Sequence, residues 1–188
     1  KDGRILPYDR ESLKELLGKE PSGQDILLFS LFKKERLLDI IRNFIVFEDK
    51  GNSKVKMACR YQQYRAVQKT VKRIKTAENL KDRSGTIWHT QGSGKSLTML
   101  FLALKLRRIK ELGNPSILIV TDRVDLDEQI SGTFKKCGFP NPIRAGSVKD
   151  LKEILSSEAG RTIMTTIHKF QEYENKKYPV LTERENVF

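Results

Sequence analysis

Gly92-Ser-Gly-Lys-Ser96 is the stretch of this 188-residue chain whose residue types and spacing most directly imply chemistry. Glycines at such positions let backbone N–H groups curl around a phosphate with no Cβ in the way. A helix starting directly behind the loop adds its own N-terminal N–H groups and the positive end of its dipole. Lys95 is then placed to reach the β- and γ-phosphates of a nucleoside triphosphate, and the Ser96 hydroxyl to sit on Mg²⁺. These two are the candidate catalytic residues, with Ser96 the metal contact through the nucleotide. The strict phosphate-loop pattern has a glycine where this chain has His89, so the loop is a variant of it. The competing reading is a Gly-Ser turn that merely opens a helix.

Upstream, Arg60-Tyr-Gln-Gln63 supplies an amide with two donors and an acceptor. Gln63 can therefore read the edge of adenine, which a phosphate loop cannot distinguish from guanine. A glutamine pair on a solvated helix face is the alternative. The candidate nucleotide-binding set is Arg60, Gln63, Thr90, Gln91, Gly92, Ser93, Gly94, Lys95 and Ser96, and the implied cofactors are ATP and Mg²⁺. Two further motifs, Thr121-Asp122-Arg123 and Thr165-Thr166-Ile-His168-Lys169, follow β-type runs. In an open α/β sheet such positions lie at the carboxyl ends of strands, where ligands bind. Hydroxyls, backbone N–H groups and cations are the usual means of holding a nucleic-acid backbone. Thr121, Asp122, Arg123, Thr166, His168 and Lys169 are therefore candidate DNA contacts. Helix capping by Thr and Asp competes with this reading, as does an ordinary loop role for His168. No second His, Cys or carboxylate stands near His168 at metal-ligand spacing.

The elements that must position these residues follow from periodicity. Ser12-Leu-Lys-Glu15 is a capping-box pattern and Gly18 a helix stop, so the first thirty or so residues read as an arm. A second helix is expected over Glu35–Arg42, with Leu37, Leu38, Ile40 and Ile41 facing inward. β-Branched and aromatic residues, turn chemistry and an alternating run make 44–58 a β-hairpin. Tyr61, Tyr64, Val67, Val71 and Ile74 recur at helical spacing, and the opposite face carries Arg65, Lys69, Lys72, Arg73 and Lys75. A short strand is expected at Thr86–Trp88, a helix from the loop to Leu106, and a buried strand at Ser116–Thr121. Asp125, Asp127 and Glu128 load the first turn of the next helix, whose inner stripe is Leu126, Ile130 and Phe134. Ser147 caps a helix with Leu151, Ile154 and Leu155 inside, and Thr162–Thr165 is the last strand. This order predicts an α/β domain, a doubly wound parallel sheet carrying a phosphate loop, preceded by a short helical arm and hairpin. The boundary falls between an arm or linker at 1–43 and the main domain at 44–188.

The chain carries a net charge of +12, placed unevenly. Residues 50–112 hold 16 basic and 3 acidic side chains, whereas 1–49 and 113–188 are near neutral. Such a field attracts polyanions of any sequence, although a solvated lysine-rich helix face would look similar. No apolar run reaches membrane-spanning length, and Lys1–Glu20 lacks the apolar core of a signal peptide. Cys59 and Cys137 stand far apart and read as reduced core residues of a cytoplasmic protein.

Leu37-Leu-Asp-Ile-Ile-Arg-Asn-Phe-Ile-Val-Phe47, Arg60-Tyr-Gln-Gln-Tyr64, Thr86-Ile-Trp-His-Thr-Gln-Gly-Ser-Gly-Lys-Ser96, Val120-Thr-Asp-Arg123 and Thr166-Ile-His-Lys-Phe170 occur together in this order. From about residue 31 onward the chain thus resembles the motor subunits of type I restriction endonucleases. The resemblance implies the first RecA-like lobe of a superfamily 2 helicase-type translocase. Such a motor draws in double-stranded DNA with ATP and is coupled to a nuclease domain, which the arm would follow. It works with methylation and specificity subunits. Gln63 then matches the adenine-reading glutamine, Lys95 and Ser96 the phosphate and Mg²⁺ residues, and the two follow-on motifs backbone-tracking ones. The Asp-Glu-Ala-His-type segment, the second lobe and the nuclease cluster of that family are not seen here. The expectation is a truncated motor that binds ATP without hydrolysing it. The alternatives are a lobe of a stand-alone superfamily 2 helicase or remodeller, and a nucleic-acid-binding module with an idle phosphate loop.

Overall fold

The computed structural model describes residues 9–140, 142–157, 159–170 and 180–188. The arm is three short helices, α1 (Arg10–Leu17), α2 (Gly23–Leu31) and α3 (Lys34–Asn43). α1 starts earlier than the Ser12 box suggests. Asp9 is the cap, accepting from the Ser12 amide at 3.3 Å and its hydroxyl at 2.7 Å, and the latter bond chiefly holds the Asp9 carboxyl below its ordinary range. Gly18 ends the helix at φ 64°, a left-handed conformation that glycine adopts without Cβ strain. α2 was not expected, yet its signal is local: Ser22 and Asp25 form a reciprocal capping box. In α3 only Ile40 of the four anticipated apolar residues is buried. Leu38 and Ile41 are 56% and 55% exposed, because α3 lays a single face on its neighbours and the other face meets no packed element among the described residues.

The hairpin is as expected, with β1 (Ile45–Asp49) antiparallel to β2 (Lys54–Ala58). α4 (Tyr61–Thr76) buries Tyr64, Val67, Val71 and Ile74, the expected stripe, and also Gln63. α5 (Lys95–Arg107) follows the glycine loop and packs along α4. Next come β3 (Ile117–Thr121), α6 (Val124–Lys136), the short β4 (Pro142–Arg144), α7 (Val148–Ser157) and β5 (Thr162–Thr166). Ile130 and Phe134 of α6 are buried as expected, but Leu126 is 38% exposed. It sits in the first turn, ahead of the part of α6 that reaches the core. Ser147 caps α7, its hydroxyl accepting from the Asp150 amide at 3.0 Å.

The main sheet is parallel, in the order β3–β5–β4, with Thr121 opposite Thr166. Alternation along β5 sends Met164 into the larger core with Ile130 and Phe134, and Ile163 into a smaller one with Leu151 and Leu155. Both faces of this three-stranded sheet are thus covered. Beyond β3, Val187 makes a parallel bridge to Ser116, and the Leu118 amide donates to the Phe188 carbonyl at 2.7 Å.

One expected strand is not formed. Thr86–Trp88 belongs to no strand among the described residues, with Ile87 44% and Trp88 88% exposed. Its composition suits a strand, but a strand needs a partner's N–H and C=O groups, and this segment does not enter the β3–β5–β4 sheet.

The larger core centres on Phe44, fully buried against Tyr64 at 4.8 Å and Phe101 at 5.7 Å between ring centroids. Cys59 and Cys137 are both free thiols at its margin, and burial pushes the Cys59 thiol up to about 11. No helix among the described residues is long and apolar enough to cross a membrane. Phe134 is fully buried where α6 meets the sheet. Phe134→Ala should therefore lower unfolding free energy by about 3–5 kcal/mol, against less than about 0.5 kcal/mol for exposed Leu16→Ala, measured by urea denaturation.

Candidate functional site

The glycine loop is shaped by backbone sign. Gly92 and Gly94 hold φ of 74° and 81°, where a Cβ is strained. At Gly94 a Cβ would also lie 2.6 Å from Gln63 Nε2, so a side chain there would displace the Gln63 amide. Gln63, only 2% exposed, reaches across from the first turn of α4. Its Nε2 donates to the Gly94 carbonyl at 3.0 Å, and its Oε1 accepts from the Arg60 amide at 2.8 Å. As placed, Gln63 is a brace between the start of α4 and the start of α5.

Within the loop, the Ser93 hydroxyl and the Lys95 ammonium both donate to the Thr90 carbonyl, at 2.6 and 2.8 Å. Lys95 is exposed, and the partner seen for it is a neutral carbonyl, which an anion would outcompete. α5 begins at Gly94 with no side-chain cap, leaving its first N–H groups open to an incoming acceptor. A cleft of about 370 Å³ opens beside the loop, lined by Arg60, Gln62, Trp88, His89 and Thr90–Ser93. These features fit a phosphate group. Ser96 is half-buried in the first turn of α5. Among the described residues there is no group of three His, Cys, Asp or Glu able to hold a metal, so a cation here would rest on the nucleotide, a hydroxyl and water, as Mg²⁺ commonly does.

The other two motifs meet at the same end of the sheet, because β3 and β5 are parallel and in register to their last residues. Thr121 and Thr166 are both buried, and the Thr121 hydroxyl lies 3.3 Å from the Arg123 carbonyl and 3.4 Å from that of Thr165. The threonines thus shape the strand ends. Asp122 and Arg123 extend into solvent as a 3.5 Å pair. His168 is exposed and Lys169 half-buried, in the turn after β5. The link from the glycine loop to this sheet runs through α5, which packs on α6.

The periodicity of α4 did not disclose a second, larger groove of about 870 Å³ between that helix and residues 83–89. Arg65, Lys69, Lys72, Arg73, Arg83 and Trp88 are among its walls, and it joins the smaller cleft at Gln62, Trp88 and His89. Also unforeseen was a carboxylate on the arm, Asp39, bonded to Lys105 of α5. Lys105 interrupts the apolar run from Leu100 to Leu106, and a cation there has to find a partner.

Residues 62–188 match the SWI2/SNF2 ATPase family. A Methanocaldococcus jannaschii protein named as the type I restriction enzyme MjaIXP endonuclease subunit is 39% identical over 194 positions, covering 99% of this chain and 18% of that one. The type I restriction enzyme HindI endonuclease subunit of Haemophilus influenzae is 41% identical over 169 positions, covering 86% and 16%. A Mycoplasma pneumoniae protein named as the C-terminal part of the MpnIIP endonuclease subunit is 36% identical over 146 positions, covering 73% and 68%. The chain therefore spans less than a fifth of the length of the first two. The loop, the Gln63 brace and the parallel sheet lie within the matched region, and the chain belongs with the type I restriction enzyme endonuclease subunits, in their SWI2/SNF2 ATPase-type portion.

Proposed function

We propose that this chain is the nucleotide-loading lobe of a motor that draws double-stranded DNA through a type I restriction complex with ATP. The carrying observation is the glycine loop closed by Gln63 and offering Lys95 to solvent. In this reading Gly92–Gly94 and the open N–H groups of α5 cradle the phosphates, and Lys95 leaves the Thr90 carbonyl for the β- and γ-phosphates. Ser96 holds Mg²⁺ through its hydroxyl. Arg60, Thr90, Gln91 and Ser93 line or shape the cleft, and Gln63 reads adenine by turning its Oε1 from the Arg60 amide to the base while its Nε2 stays on Gly94. The lobe takes the doubly wound arrangement of RecA-like motors, with the arm at 1–43 leading in. Thr121, Asp122, Arg123, Thr166, His168 and Lys169 track the DNA backbone from one end of the sheet. The whole assembly, with methylation and specificity subunits, cleaves DNA in the cytoplasm.

Lys95→Ala should abolish most ATP affinity, while Gln63→Ala should narrow the preference for ATP over GTP and, by removing the brace on Gly94, weaken both nucleotides to a lesser degree. Calorimetry with both nucleotides on both variants checks this, and ATP affinity unchanged in Lys95→Ala would remove the reading.

Duplex DNA should bind weakly, without sequence preference and steeply in salt, because neutralising phosphates with the basic groove releases counterions. Fluorescence anisotropy on unrelated duplexes at two ionic strengths measures the slope. Tight binding to one duplex, insensitive to salt, is the contrary result.

Bound ATP should not be turned over by this stretch of chain on its own. Hydrolysis needs an oriented water and charge stabilisation on the γ-phosphate, where an added arginine alone is worth about 10³–10⁵ in rate. Asp122 is 63% exposed and paired with Arg123, an arrangement suited to tracking a backbone rather than orienting water. Phosphate release should match a Lys95→Ala blank with and without DNA, and DNA-stimulated release above that blank would contradict this.

A further inference from the structure

The block Leu37–Phe47 stands apart from the nucleotide and DNA motifs, and the structure gives one of its residues an unusual set of partners. Asp39 on α3 takes Lys105 Nζ at 2.7 Å on each carboxylate oxygen. It also accepts from Asn43 Nδ2 at 2.7 Å and from Gln68 Nε2 of α4. One carboxylate thus collects donors from α3, α4 and α5. The ion pair is largely withdrawn from water, with the Lys105 and Asp39 side chains 13% and 20% exposed, and the ammonium lies 5.3 Å from the Phe44 ring centroid. Asn43 extends the joint, its Oδ1 accepting from Arg108 Nη1 at 2.9 Å.

Two of the three helices joined here border the glycine loop, α5 following it directly and α4 reaching it through Gln63. α4 and α5 are pinned to each other at Gln63–Gly94, and a second time through α3 at Gln68–Asp39–Lys105. Gln68 follows Gln63 by about one and a half helical turns, so a shift of α4 at the second pin moves the first. We infer that Asp39, which touches no part of the cleft, is a positioning residue for the nucleotide site: it holds α3, α4 and α5 in the register that lets Gln63 close on the loop. The arm is thereby energetically linked to nucleotide affinity, and whatever displaces α3 loosens the loop. A packed network with two discrete arrangements is the physical means by which such coupling travels.

The inference rests on the reading of the loop as an ATP site, and the test separates the two. ATP affinity is measured by calorimetry on the full chain for Asp39→Asn, Gln68→Met, Gln63→Ala and each of the first two combined with Gln63→Ala. Circular dichroism at the same temperature verifies folding, and Lys95→Ala is the control. Gln68→Met keeps the Lys105–Asp39 pair, so it carries the test if Asp39→Asn does not fold. Asp39→Asn and Gln68→Met should each weaken ATP binding about fivefold, within the range found for residues remote from a ligand. Each loss should be largely absent when Gln63 is already alanine, because both act through the same contact. A structural role alone would lower stability without that dependence. Unchanged ATP affinity in folded Asp39→Asn or Gln68→Met, or losses that simply add to that of Gln63→Ala, would overturn the inference while Lys95→Ala still upholds the site. If Lys95→Ala binds ATP as the parent chain does, the site reading and the inference fall together.

Discussion

The contact between the Gln63 amide and the Gly94 carbonyl governs the arrangement of everything around the loop. It needs a glycine at 94 on two counts, φ of 81° and a Cβ that would push the Gln63 amide off this contact. It also needs Gln63 buried at the very start of α4, where Arg60 supplies the hydrogen bond that satisfies its oxygen. A buried amide with both ends engaged is rigidifying, whereas the same amide with one end free would cost about 1–3 kcal/mol. The loop therefore acquires its shape from a residue distant in sequence as well as from its own glycines.

Placing charge inside this fold has required specific partners. Lys105 interrupts the apolar surface of α5 and is met by Asp39, and Asp127, nearly fully buried, is met by Arg144 of β4 at 2.8 Å. Removing one member of such a pair strands the other in poor solvent, so the cost of a single substitution exceeds the net value of the pair. The exposed cations of α4 are different. Lys69 and Lys72 line an open groove where water screens them, so they contribute more to the field around that groove than to folding.

What the sequence disclosed follows how local each determinant is. α4, the hairpin and the glycine loop were legible because periodicity, turn residues and glycine spacing are read within a few neighbours. Thr86–Trp88 was not, since its β-type composition is local but its pairing depends on a partner strand. Helical spacing turns Leu38 and Ile41 inward because it marks an apolar face without saying whether anything covers it. Gln63 stands out in the sequence for what its amide can do to a base. Its place as a brace on Gly94, and the convergence of Lys105 and Gln68 on Asp39, depend on long-range folding that spacing does not encode. The three-residue β4 was missed because Pro142–Arg144 is too short to show alternation.

Trp88 is the chain's sole tryptophan, and it stands almost fully in water one residue before His89 at the mouth of the loop. Indole emission reports the polarity around its ring, and here one ring provides the whole signal. The protein thus carries a built-in optical probe at the junction of its two grooves, reading out in solution whether that corner is wet or covered, with no label attached. Excited beyond the absorption of the five tyrosines, that ring emits alone, so a change in its colour has a single address in the fold.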